Sequence, residues 1–174
     1  MPVKYVLAMT RPDPLPSLRR AADALAAAGQ ADSFFVALQQ AMGEAIGHRL
    51  FTIMRHDPAA GRNRRAFSSD PAAYPVSGYK AVNWDHPWTQ RVLVEGQAWI
   101  GRDAADIAWA YPDHQTIAGM GLASAMNLPV RWDGRTLGAV NLLHGPGHFT
   151  DADAAIGTLF AALAVPALLA VRID

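Results

Sequence analysis

The chain has 174 residues, about half of them apolar, which is enough to bury one sizeable core and favours a single domain over two. Fifteen lysines and arginines balance fifteen aspartates and glutamates, so the basic footprint that nucleic acid or an anionic membrane requires is missing. The absence of cysteine excludes disulfides, thiolate metal sites and thiol nucleophiles, and it fits a cytoplasmic chain. The opening MPVKYVLAMTRPDPLPS has only a short apolar run, broken by Lys4 and followed by Pro12, Pro14 and Pro16, so it has no signal-peptide core. No apolar run approaches membrane-spanning length. Residues 1–16 are therefore read as an N-terminal arm and 17–174 as one domain.

Ser17 is placed to cap a helix through LRRAADALAAA, with Leu18, Ala22 and Leu25 on one stripe and Gly29 as its stop. Asp32 opens a second helix, in which Phe35, Leu38, Met42 and Ile46 recur at three-to-four spacing before Gly47. LFTIM (50–54) then reads as a strand, HDPAAGRN as a turn-rich connection and RRAFS as a second strand. From Pro71 to Gly121 the pattern is irregular. It holds a short helix at WTQRVLVEG, a short strand at AWIG and a helical piece near HQTIAGM, and it is too long to be a mere connection.

SAMNLPV and TLGAVNLLH read as strands joined by RWDGR, where Asp-Gly is a strong hairpin signal. A two-residue loop at Asp133 and Gly134 would turn Met126 to the same side as Asn141. A three-residue loop closed by Gly134 instead gathers Met126, Leu128, Val130, Val140 and Leu142 on one apolar face and leaves Ala125, Asn127, Ala139 and Asn141 on the other. Cleaner segregation favours the second arrangement, because burial of one face sets strand register. Thr150 caps a closing helix with Asp151 and Asp153 in its first turn. Ile156, Leu159, Phe160 and Leu163 recur along that helix at helical spacing, and Pro166 is expected to interrupt it.

The helix pair, LFTIM, a long irregular middle, S-x-x-N-x-P-V, D-G, LGAVNLLH and F-T-x-x-D before a closing helix together resemble the GAF domain family over roughly residues 17–172. The resemblance implies an α+β fold, GAF-like and PAS-like. Its antiparallel sheet would carry helices on one face and, on the other, a ligand pocket roofed by the irregular middle segment. It also implies pairing of the terminal helices in a homodimer, for which alanine-rich faces such as ADALAAA allow close packing. Some family members bind cyclic nucleotides through an Asn-Lys pair after the penultimate strand, where this chain has His144 and Gly145. Others attach bilins or reduce free methionine sulfoxide through cysteine, which this chain lacks.

Under such a roof, Tyr74, Tyr79, Trp84, Trp88, Trp99, Trp109 and Tyr111 are the candidate ligand-facing rings, each offering a large apolar body, with a polar tip on every one. The blander alternative is that they only pack the roof down. Lys80, after PVSGY, is a candidate for meeting a carboxylate or phosphate, against the common fate of a solvated loop lysine. His114 is a candidate donor, or a local capping residue. Asn127 and Asn141 lie in mid-strand on a buried face and must be paired, with each other or with a ligand.

Other chemistries find little support. His144 and His148 flank Gly-Pro-Gly, which no helix would hold, so they need not share a face and no metal is expected. GLAS around Ser124 lacks the nucleophile-elbow spacing. The expectation is a cytoplasmic GAF-like binder of a small molecule, without cofactor, catalytic residue or effector domain of its own. It would pass its signal to a separate effector protein. Two alternatives stand beside it: an enzyme derived from a reductase-like GAF domain, using His114, Asp113 or Lys80 as acid or base, and a dimerisation module without ligand.

Overall fold

The computed structural model describes residues 10–76 and 78–172, so residues 1–9 of the expected N-terminal arm lie outside the described residues. Six antiparallel strands form its sheet: β1 (Leu50–Asp57), β2 (Arg62–Ser68), β3 (Tyr79–Ala81), β4 (Trp99–Gly101), β5 (Ser124–Trp132) and β6 (Arg135–His144). Their spatial order is β3-β2-β1-β6-β5-β4, with β1 and β6 at the centre. One face is covered by α1 (Leu15–Ala24), α2 (Asp32–Ala45), α6 (Asp151–Leu163) and α7 (Val165–Ala170). The other carries α3 (Pro87–Thr89), continued as a π-helical turn over Gln90–Val94, then α4 (Ala104–Ala110) and α5 (His114–Gly119).

The helix-side core follows the expected pattern. Phe35, Leu38, Met42 and Ile46 of α2 and its end are buried against Met126, Leu128, Val130, Val140 and Leu142 of the central hairpin. Helix α1 differs from its reading. Pro14 takes the cap position and Pro16 lies in the first turn, where a missing N–H costs nothing, so the helix starts before Ser17. Ser17 is instead buried within the helix and donates to Glu44 Oε2 at 3.0 Å. Ala21 takes the buried stripe, whereas Ala22 is exposed.

Turn chemistry won locally in the β5–β6 hairpin. Trp132 pairs with Arg135, and Asp133 and Gly134 form a two-residue loop with φ of 50° and 71°, correcting the expected three-residue loop. The faces nevertheless fall as expected. Arg131 pairs with Thr136 and Val130 with Gly138, so Leu137 is an extra residue whose bulge restores the register that sets Asn127 opposite Asn141.

Thr150 caps α6 in a reciprocal box with Asp153. Helix α6 meets the sheet through Gly157, Phe160 and Ala161 rather than through a stripe of large residues. A Cβ at Gly157 would come within 2.6 Å of Leu128 Cδ1, so close approach uses the missing side chain, and Leu159 is turned to the outside at 57% exposure. At Pro166 the helix breaks into α6 and α7, as expected. Buried Asp153 also accepts from Arg11 Nε at 2.9 Å, which seats the end of the N-terminal arm against α6. Burial pushes the Asp153 carboxyl up, but the bonds from Arg11 and Thr150 outweigh it and hold the pKa below the usual carboxylate range.

Candidate functional site: a roofed cavity on the open face of the sheet

A cavity of about 370 Å³ lies between the sheet and the segment expected to roof it. Strand parity selects its floor. Thr52 and Met54 of β1 and Asn141 and Leu143 of β6 face it, the alternate residues Phe51, Ile53, Val140 and Leu142 being committed to the helix-side core. Its far wall comes from the edge strands, where Asn63 pairs with Lys80. The roof is made by His86 and Trp88 around α3 and by Trp109, Tyr111 and Asp113 after and within α4.

Among the expected site residues, Tyr74, Lys80, Trp88, Trp109, Tyr111 and Asn141 line this cavity. Tyr79, Trp84, His114 and Asn127 do not. Tyr79 alternates with Lys80 along β3, and its ring instead carries the Arg62 guanidinium 3.8 Å above it. Trp84 packs edge-on to His56, at 5.8 Å between ring centres. His114 opens α5 and its Nδ1 lies 3.1 Å from the Tyr111 carbonyl. Trp99 stacks on Trp109 behind the roof.

Asn127 is fully buried beneath the cavity and organises it. Trp88 Nε1 donates to its Oδ1 at 2.8 Å, and its Nδ2 donates to Tyr111 Oη at 2.6 Å and to Asn141 Oδ1 at 2.7 Å. Asn141 Nδ2 in turn donates to Thr52 Oγ1 at 3.2 Å. Cross-strand pairing of the asparagines thus occurs, but as one link in a chain that ties roof to floor. Burial pushes the Tyr111 hydroxyl above its ordinary pKa, against the opposing bond from Asn127, and keeps it protonated.

Asp113 organises the charged wall. Its Oδ2 accepts from Lys80 Nζ and from Tyr74 Oη, each at 2.8 Å, and Arg65 stacks 3.6 Å over the Tyr74 ring. Burial pushes the Asp113 carboxyl up, but the bonds from Lys80 and Tyr74 prevail and hold it below the usual range. His86 closes the roof on itself: its Nδ1 accepts from Trp88 N at 3.1 Å, and its Nε2 is 3.0 Å from the Trp109 carbonyl. With one nitrogen accepting, the other carries the proton and donates. Thr52, Arg65 and His86 were not singled out in the sequence. Only strand parity and the fold of the roof bring them to the cavity.

His144 and His148 meet across Gly-Pro-Gly, although that linker did not require it: their rings stack 3.7 Å apart at 14°. Among the described residues, no group of three or more His, Asp or Glu side chains is arranged to hold a metal ion. Burial first, then the neighbouring His148 and Arg49, push His144 down to about 4. His48, His56 and His148 are lowered as well, chiefly by burial. In the unfolded chain these imidazoles bind a proton near pH 6.5, whereas the folded chain resists it, so stability falls as pH drops from about 6.5 toward 4. The lowered carboxylates, Asp57, Asp113 and Asp153, hold their contribution through this window and lose it only at lower pH. We expect the urea midpoint to decline steadily from pH 6.5 to 4, and His144→Gln to flatten part of that slope. A wild-type midpoint independent of pH over that range would contradict the buried neutral histidines.

No helix among the described residues is long and apolar enough to cross a membrane. Among solved structures, the GAF domain of a phosphoenolpyruvate-protein phosphotransferase from Coxiella burnetii is similar over 90% of this chain and 92% of that chain, with 14% identity and a TM-score of 0.71. The corresponding domain from Acinetobacter covers 92% and 97%, with 14% identity and a TM-score of 0.70. Free methionine-R-sulfoxide reductase from Neisseria meningitidis, solved in complex with its substrate, covers 95% and 96%, with 16% identity and a TM-score of 0.69. At such identities the likeness establishes the fold alone. No curated protein sequence matches the chain significantly. The GAF domain family model matches residues 13–168, nearly the whole length, and the chain therefore belongs to the GAF domain family.

Proposed function

We propose that the chain is a sensory small-molecule receptor that binds without transforming its ligand, in the cavity between the sheet and the roof. The observation that carries this reading is the cavity itself: about 370 Å³, within the range of small-ligand sites, and lined by aromatic rings with a few convergent polar groups. Trp88, Trp109, Tyr74 and Tyr111 supply apolar burial, and Asn141 and Lys80 supply orientation. Asn127 holds Trp88, Tyr111 and Asn141 in place from below. Occupancy would fix the roof, which His86 and Trp109 already close, against the floor and pass to the helix layer through the central strands, toward a separate effector in the cytoplasm.

A second reading concerns assembly. After Asp153 the sequence carries no charged residue until Arg172, and Leu159 and Leu169 stand exposed on α6 and α7. An uncharged helical face of this kind suits a second copy of the chain.

One experiment addresses both readings. A native mass spectrum of freshly purified protein should show a dimer carrying a co-purified small molecule, and a metabolite panel should contain compounds that raise the melting temperature. At a ligand concentration of 100 Kd the gain is about 2.7 kcal/mol. Trp109→Ala, at a half-exposed ring, should leave the unliganded protein folded and reduce that gain by at least half. An empty spectrum together with no shift across the panel would favour a dimerisation module without ligand. Turnover of a panel compound would favour the enzyme reading.

A further inference from the structure

The hydrogen-bond chain under the cavity has a fixed direction, and its direction says what kind of ligand the cavity takes. An indole N–H can only donate. Trp88 Nε1 therefore fixes the Asn127 oxygen as an acceptor, which leaves Asn127 Nδ2 to donate to both Tyr111 Oη and Asn141 Oδ1. With its oxygen accepting, Asn141 must donate to Thr52 Oγ1 through Nδ2. From Asn127 onward, each step runs toward the cavity. At its end, the Thr52 hydroxyl proton, the Tyr111 hydroxyl proton and the second Asn141 amide hydrogen find no acceptor among the described residues. Thr52 and Asn141 are more than nine-tenths buried, and all three residues line the cavity. Buried donors left in this state are costly unless something accepts from them.

The charged wall points the same way. Lys80 and Arg65 line it against a single carboxylate, Asp113, whose Oδ2 already accepts from Lys80 and Tyr74. His86, with both nitrogens engaged by Trp88 and Trp109, offers no free acceptor. The cavity is thus rich in donors, carries an excess of positive charge at one wall, and offers apolar surface at Met54, Val82, Trp88 and Leu143.

We propose that the cavity takes a small organic carboxylate with an apolar body, its oxygens accepting from Thr52, Tyr111 and Asn141 and its charge balanced by Lys80 and Arg65. This rests on the receptor reading above and narrows it. Carboxylate oxygens accept and cannot donate, so they match a floor that presents unpaired donors, and each bond to a charged donor is stronger than a neutral one. An amine or ammonium head would meet unpaired donors and a lining in which Arg64, Arg65 and Lys80 outnumber Asp113.

The test uses matched probes: benzoate, phenylacetate and isovalerate, their three amides, and phenethylamine, titrated into the full chain by calorimetry. At least one acid should bind at least about tenfold more tightly than its amide. Lys80→Met, at an exposed rim position, should remove most of that preference while changing amide affinity by no more than about threefold. Thr52→Val should weaken acid and amide together, because both present an acceptor to the floor. Amides or the amine binding as tightly as the acids would overturn the carboxylate assignment and leave the receptor reading standing. No binding by any acid would also overturn it, and an empty native mass spectrum would then remove the receptor reading as well.

Discussion

Gly138→Ala is expected to be the most damaging single-methyl change in the chain. Gly138 lies in β6 opposite Arg55 of β1, at the centre of the sheet and next to the bulged Leu137. A Cβ built on it would sit 1.9 Å from the Met54 carbonyl oxygen, 3.0 Å from that carbonyl carbon and 3.3 Å from Arg55 Cα. None of these atoms is the end of a side chain that can swing away. To admit the methyl group, β1 and β6 must part where Met54 pairs with Ala139, and the floor of the cavity must open with them. The cost should reach about 4 kcal/mol or more, in the range seen when packing and backbone bonds fail together. For a chain of this size that lowers the melting temperature by roughly 8–16 °C. Gly134→Ala supplies the contrast. Nothing lies within 4 Å of a Cβ there, and only the left-handed backbone, φ 71°, is penalised, at about 1–2 kcal/mol. If thermal melts placed Gly138→Ala within about 1 kcal/mol of wild type, the close strand approach would not exist as described.

What the sequence made legible is the side of the sheet where burial has a period. Helix α2 shows its face at every third or fourth residue, and the central hairpin separates its faces over seven consecutive positions, so the right register follows even from the wrong turn. Asp133 and Gly134 followed turn chemistry, the apolar face followed segregation, and the Leu137 bulge reconciles the two. Segregation was the stronger constraint because a one-residue slip would have turned Met126, Leu128 and Val130 away from the helices. The open face has no such period. Strand β3 is three exposed residues, and α4 buries Ile107 alone, so neither leaves a pattern to read. Asp103, whose side chain accepts from Ala105 N and Asp106 N, was the one signal for α4. Without β3, nothing in the sequence distinguishes Tyr79 from Lys80, though one faces away from the cavity and the other faces it. Arg65 was hidden for a related reason. The β1–β2 register shifts between Ile53 and Met54, skipping Ala66, so parity counted from Phe67 would turn Arg65 the wrong way.

Asn127→Leu is expected to have the second-largest effect, and it separates the polar chain from mere packing. Leucine keeps the branching and the heavy-atom count of asparagine but is bulkier, so packing alone predicts a moderate cost of overfilling, about 1–3 kcal/mol. Hydrogen bonding predicts a larger one. Trp88 Nε1 and Asn141 Oδ1 would lose the partners seen at 2.8 and 2.7 Å, and Tyr111 Oη would lose the bond at 2.6 Å. Each buried group left unpaired costs about 1–3 kcal/mol, so the sum should be roughly 3–5 kcal/mol after partial relaxation. Asn127→Asp asks a different question. A carboxylate still accepts from Trp88 but cannot donate, so Tyr111 and Asn141 would turn their hydrogens toward it and Thr52 would donate to the Asn141 oxygen. The free donors would then point away from the cavity. Asn127→Asp should therefore lose affinity for carboxylate probes by more than its loss of stability explains, whereas a variant whose affinity survives would show that the floor's polarity is not set by Trp88. Denaturation midpoints and probe titrations on the same two variants read both effects, because the bonds that hold Trp88 over the sheet also decide which way the floor's hydrogens face.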